Sequence, residues 1–260
     1  NLYPKVRVIR QPIPNVSLAR NNGFHHAQYD LLLFLDDDLE PEKYFCERLL
    51  HLFNNTSEID CFCPLVYNVE GKKKEMKRMG KKIIETKNNL FTIKDTLSAA
   101  ICIKRNSYYH SGGFDPYLFD YIKSTEDQEF FIRARNKGLD IYYSADISIF
   151  HSEEISGGCG LRDSNYWLNR ERFMKGWAFR YRIYNGGRLT LKSYIALIRS
   201  SFLNSEIIKR NFKDTFKLIN LMGIAITDTK LKLNDDLKQY YNKGIKTNHL
   251  QNEYKSYIAN

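Results

Sequence analysis

The sequence predicts an α/β protein: a mostly parallel sheet flanked by helices, followed by a helical appendage. Three observations carry that expectation. Strand-length apolar runs alternate with helix-period segments along the first 150 or so residues. The run Leu31–Leu35 contains no polar position, as a strand buried on both faces does not. From about Ser164 the strand signals stop and long, basic, amphipathic stretches take over. These place an α/β domain at residues 1–163 and a basic amphipathic helical region at 164–260.

Taken in order, "KVRVIRQP" alternates polar and apolar residues and stops at Pro12, which reads as a short strand. Ser17 is the expected N-cap of a helix turning Leu18, Ala19 and Ala27 inward. "DLLLFLDDD" is the central parallel strand. Pro41 and Glu42 then open a helix with Phe45, Leu49, Leu50 and Phe53 at helical spacing. "DCFCPLVY" and "LSAAICIKR" read as further strands. The basic segment Lys72–Lys82 has little apolar periodicity and reads as a solvated loop, with contact to a phosphorylated or lipid-linked substrate as the second reading. "EDQEFFIRARNKG" is a helix closed by Gly138, and "DIYYSADISIFH" supplies two short strands. In "TLKSYIALIRSSFL", Leu191, Tyr194, Ile195, Ile198 and Phe202 share one helical face. That face either packs on the main domain or lies on an anionic membrane surface.

Forty Lys and Arg against thirty Asp and Glu leave the chain at +10, a balance that favours anionic partners. Cys46, Cys61, Cys63, Cys102 and Cys159 are odd in number, and Cys61 and Cys63 stand too close for a zinc knuckle. They read as buried free thiols of a reducing compartment.

The chemistry concentrates in four places. Asp36, Asp37 and Asp38 end a buried strand, where clustered carboxylates repel unless a cation neutralises them. Hard oxygen donors around an open position suit Mg²⁺ or Mn²⁺, with substrate phosphates completing the shell. Strand geometry turns Asp36 and Asp38 to one side and Asp37 to the other. A plain acidic cap before the next helix is the competing reading. Gly112 and Gly113 of "SGGFD" allow a turn or the close approach of a ligand. Glu126 and Asp127 form a second carboxylate pair at a helix start, and His151 ends a strand.

The series "ARNNG…LLLFLDDD…GGFD…TEDQEFFIRARNKG…IFH" resembles the family 2 glycosyltransferases of GT-A fold, particularly bacterial enzymes of cell-surface polysaccharide synthesis. The resemblance spans roughly residues 6–185. It implies that Arg20 and Asn21 approach a nucleotide-sugar donor, that Asp36 and Asp37 lie on its nucleotide side, and that Asp38 binds a divalent metal bridging the diphosphate. His151 is then a second metal or diphosphate ligand. Asp127 is the implied general base, Glu126 helps to position the acceptor, and Gly112, Gly113, Phe114 and Asp115 face the acceptor side. The resemblance further implies inverting transfer, UDP as carrier, a saccharide or lipid-linked acceptor, and a cytoplasmic protein at the inner face of the membrane. The family also carries a first strand, a helix and a second strand ahead of the "ARNNG" region. On that ground the chain is expected to be a fragment with an exposed sheet edge and an incomplete nucleobase pocket.

Two other classes compete. A sugar-phosphate nucleotidyltransferase would share the strand-end aspartates but add a glycine-rich phosphate loop. A non-catalytic basic domain binding nucleic acid or membrane leaves the acidic clusters unexplained, because acidic strand ends repel a phosphate backbone. Nucleic acid is therefore not an expected partner.

Overall fold

The structure, a computed structural model, describes residues 6–12, 14–87, 90–95, 99–116, 126–152, 165–184, 188–202 and 212–232. The chain divides into two compact units. The first comprises residues 1–121 and 126–157, and the second residues 122–125 and 158–260. The boundary expected between 163 and 164 lies outside the described residues, as does Cys159.

In the first unit the described strands are β1 (Leu31–Leu35), β2 (Leu39–Pro41), β3 (Cys61–Tyr67), β4 (Ile83–Lys87), β5 (Leu90–Ile93), β6 (Ala100–Lys104) and β7 (Ile141–His151). The helices are α1 (Val16–His26), α2 (Phe45–Asn55), α3 (Lys72–Gly80), α4 (Arg105–Ser111) and α5 (Glu126–Asn136). The strands form one sheet in the order β1-β6-β3-β7-β5-β4, with β2 paired to β7 off that path.

Period-2 alternation splits the core between the two faces of the sheet. Cys61, Cys63, Leu65, Ile101, Ile103, Ile141 and Tyr143 join a cluster with Tyr108 of α4 and Phe130, Phe131 and Ala134 of α5. Phe62, Ala100, Cys102, Tyr142 and Ile149 join another with Phe45, Leu49 and Phe53 of α2. The α/β architecture with helices on both faces is thus the observed one.

The strand directions differ from the expectation. Among the described strands only β3 and β7 pair in parallel, while the other ladders are antiparallel. A run such as Leu31–Leu35 reports burial on both faces, and Leu32 and Leu33 do enter opposite clusters. Burial does not report direction, and β1 lies at one end of the strand order beside β6 rather than at its centre.

Further corrections follow from local chemistry. Val6–Gln11 forms no strand, and Val6 and Val8 are exposed. Asn15, not Ser17, caps α1, its side-chain oxygen accepting from the Leu18 amide at 3.0 Å. Ala19 faces solvent. Pro41 belongs to β2, and α2 starts only after Tyr44, whose φ of 65° breaks the chain direction. Leu50 is exposed on α2. The basic segment is helical, anchored through the buried Met79. Residues 141–151 make one strand whose pairing jumps from Ser144 to Ser148, so the two expected strands are one strand with a bulge. Gly138 does close α5, at φ +89°. Cys61, Cys63 and Cys102 are buried free thiols, whereas Cys46 is exposed.

In the second unit, α6 (Tyr166–Tyr184), α7 (Leu191–Phe202) and α8 (Phe212–Lys232) pack together. Met174 meets Leu218, Leu221 and Ala225. Arg182 donates to Thr229 Oγ1 at 3.2 Å and to the Ile226 carbonyl at 2.9 Å. On α7 the buried residues are Ser193 and Leu197, while Leu191, Tyr194, Ile195 and Ile198 are exposed. The apolar face singled out in the sequence is therefore the outward one. No described helix is long and apolar enough to cross a membrane.

Candidate functional site

The carboxyl end of β1 runs into a turn that returns as β2. The Asp36 amide donates to the Ala99 carbonyl at 2.9 Å, carrying the β1–β6 ladder one residue further. Asp37 is exposed on the turn, and Asp36 and Asp38 are half-buried. The pairing of β2 with β7 sets Leu39 opposite His151. The Ser152 amide and hydroxyl both donate to the Asp38 carbonyl at 3.0 Å. In this frame Asp38 Oδ2 lies 3.0 Å from His151 Nε2.

Arg20, on α1, reaches across to the same end of the sheet. Its Nη2 lies 3.2 Å from Asp36 Oδ1 and its Nη1 3.4 Å from Glu126 Oε1. The guanidinium sits 4.8 Å above the Phe114 ring, which stacks on Phe130 with centroids 4.5 Å apart. An aromatic floor thus supports a forked cation between two carboxylates. Phe114, expected toward an acceptor, is 2% exposed. Its ring is core, and what it offers the site is the position of Arg20.

Burial shapes the protonation of this end of the sheet. It raises the Asp36 carboxyl above its usual range, against the opposing pull of Arg20. It raises Glu126 to about 7, helped by the Asp127 charge and opposed by Arg20. Asp127 is also buried, and its Oδ1 accepts from the Gln128 amide at 2.7 Å, which fixes the orientation of the carboxylate.

The double-glycine turn is held rather than open. Both glycines have positive φ, +89° at Gly112 and +70° at Gly113. Asn21 spends its amide here. Its Nδ2 donates to the Phe114 carbonyl at 2.8 Å, and its Oδ1 accepts from the Phe114 amide at 3.0 Å and the Tyr108 hydroxyl at 2.6 Å. From α5, Arg133 donates to the Ser111 and Gly113 carbonyls while its Nε and Nη2 engage both oxygens of Glu129. Asp115 is half-buried beside this turn. Asn21, expected at the donor, therefore acts as a brace between α1 and the turn. Sequence reasoning missed the Glu129–Arg133 pair, although its i,i+4 spacing was visible.

The structure thus gathers Arg20, Asp36, Asp38, Glu126, Asp127 and His151 at one end of the sheet, and directs Asn21, Phe114, Gly112 and Gly113 to building its wall. Among the described residues no three of His, Cys, Asp and Glu converge closely enough to hold a metal alone. Asp38 and His151 supply two donors. That set fits a divalent ion whose other positions are filled by substrate phosphate and water.

Comparison with solved structures agrees on the α/β fold. The chain is similar to S. aureus TarS 1-349 in complex with UDP-GlcNAc, at 17% identity and a TM-score of 0.53, covering 90% of this chain and 69% of that one. It is likewise similar to TarS 1-349 without that ligand, at 16% identity and a TM-score of 0.50, covering 90% and 68%. No curated protein matches the chain. Residues 1–123 match the model of glycosyl transferase family 2.

Proposed function

We propose that this protein transfers a sugar from a nucleotide-diphosphate sugar, with UDP as carrier, to a hydroxyl of a saccharide or lipid-linked acceptor, inverting the anomeric carbon. One observation carries the reading: in a chain whose residues 1–123 match the family 2 model, β2–β7 pairing brings Asp38 against His151 at the sheet end where Arg20, Asp36 and Glu126 meet. Asp38 and His151 would hold Mn²⁺ or Mg²⁺, which supplies Lewis-acid stabilisation of the departing phosphate. Asp127 accepts the acceptor's hydroxyl proton as the new C1–O bond forms and the C1–O–phosphate bond breaks, its electron pair leaving on the nucleoside diphosphate. Glu126, with a pKa of about 7, is part-protonated near neutrality and can donate a hydrogen bond to the acceptor. Arg20 and Asp36 line the nucleotide side.

Biosynthesis of cell-surface polysaccharide at the inner face of the membrane fits this chemistry. The outward apolar face of α7, flanked by Arg188, Lys192 and Arg199, supports contact with an anionic lipid surface.

Calorimetric titration of UDP, dTDP and GDP, with and without Mn²⁺, into the chain and its Asp38→Ala variant tests the donor assignment. Metal-dependent binding of UDP that disappears in the variant is expected. Equal binding by both proteins, or release of pyrophosphate from a nucleoside triphosphate and a sugar phosphate, overturns it.

A further inference from the structure

A cleft of 450 Å³ opens where the carboxyl ends of β3 and β7 lie side by side, with His151 in its wall and α3 along its rim. Four cationic side chains line it, Lys74, Lys77, Arg78 and Lys81, against the two carboxylates Glu70 and Glu75. The carboxylates are committed: Glu70 pairs with Lys74, and Glu75 pairs with Arg78 at 2.7 Å. Lys77 and Lys81 stand one helical turn apart and have no ion-pair partner among the described residues. The cleft therefore carries two uncompensated ammonium groups beside the Asp38–His151 pair, with Tyr67 and Asn68 in its lining. Arg20, Asp36 and Glu126 do not line it.

We propose that this cleft is a subsite for a phosphoryl group of a substrate, bound by Lys77 and Lys81. Compact ammonium groups on flexible stems suit a tetrahedral dianion, and like charges one helical turn apart repel until such an anion neutralises them. The phosphoryl group comes either from the donor or from a phosphate carried by the acceptor. Its assignment to a substrate rests on the sugar-transfer reading, whereas the affinity of the cleft for phosphate does not.

The test titrates inorganic pyrophosphate and glycerol 3-phosphate, in chelator, into the full chain, into Lys77→Glu/Lys81→Glu, and into Lys73→Glu as an exposed charge reversal on the same helix outside the cleft. The double variant is expected to lose roughly tenfold or more of the affinity, and Lys73→Glu to lose little. Equal losses in the two variants, or no loss in the double variant, overturn the subsite. UDP with Mn²⁺ then separates the sources. Retained UDP affinity in the double variant assigns the phosphate to the acceptor, and a parallel loss assigns it to the donor. Loss of pyrophosphate affinity in a protein that binds no UDP refutes the nucleotide-sugar reading and leaves the subsite standing.

Discussion

Replacing Glu126 by Gln should change how the stability of the sheet unit responds to pH. Glu126 is 6% exposed, and its carboxyl rises from 4.5 to about 7. A raised acid binds its proton more tightly in the folded state. It therefore adds stability below the unfolded value of 4.5, and that stability drains as pH climbs towards about 7 and is gone above it. The difference of about 2.5 units, at about 1.4 kcal/mol each, amounts to about 3 kcal/mol. Glutamine keeps an oxygen for Arg20 and cannot ionise, so the wild type should lose about 3 kcal/mol more than Glu126→Gln between about pH 4.5 and pH 7.5. The readout has to sit in the right unit. Both tryptophans, Trp167 and Trp177, lie on α6 of the helical unit, so their fluorescence reports on that unit. Amide exchange in β6, corrected for the intrinsic pH dependence of exchange, reports the opening free energy of the sheet directly. Parallel profiles for the two proteins would refute the argument.

Two other substitutions probe the neighbouring elements. Gly113→Ala puts a Cβ 2.8 Å from Asn21 Oδ1 at a φ of +70°. Because three hydrogen bonds hold that amide, the loss should be about 2 kcal/mol or more, measured by the same exchange experiment. Asp127→Asn should leave metal-dependent UDP binding intact and reduce sugar transfer by roughly a hundredfold or more in a radiolabelled-donor assay. Full turnover would show that the base lies elsewhere.

The alternation of strand and helix, the two-faced burial and the chemistry-bearing residues were legible because each leaves a local mark. Leu31–Leu35 announces burial, Gly138 announces a helix end, and the aspartate run announces a strand terminus. Strand direction left no such mark, since Leu32 and Leu33 look the same whether β6 runs with β1 or against it. Nor did the helical state of Lys72–Gly80, where one buried methionine anchors an otherwise charged segment. The work done by Asn21 and Phe114 was hidden for another reason. Their partners are about a hundred residues away or on another helix, and a motif's residues carry the same letters whether they touch a ligand or hold the wall behind it.

Strand β7 is bonded to β2, β3 and β5, and through β2 it positions Asp38 against a histidine 113 residues downstream. On a ribosome, that distance is a delay. The aspartate turn leaves the exit tunnel long before its partner exists, and at roughly 5–20 residues per second the wait is several seconds or more. Throughout it, the β7 edge that β2 joins is missing. The nascent chain therefore carries the aspartate turn without its histidine, and the Asp38–His151 pair forms only when β7 is in place.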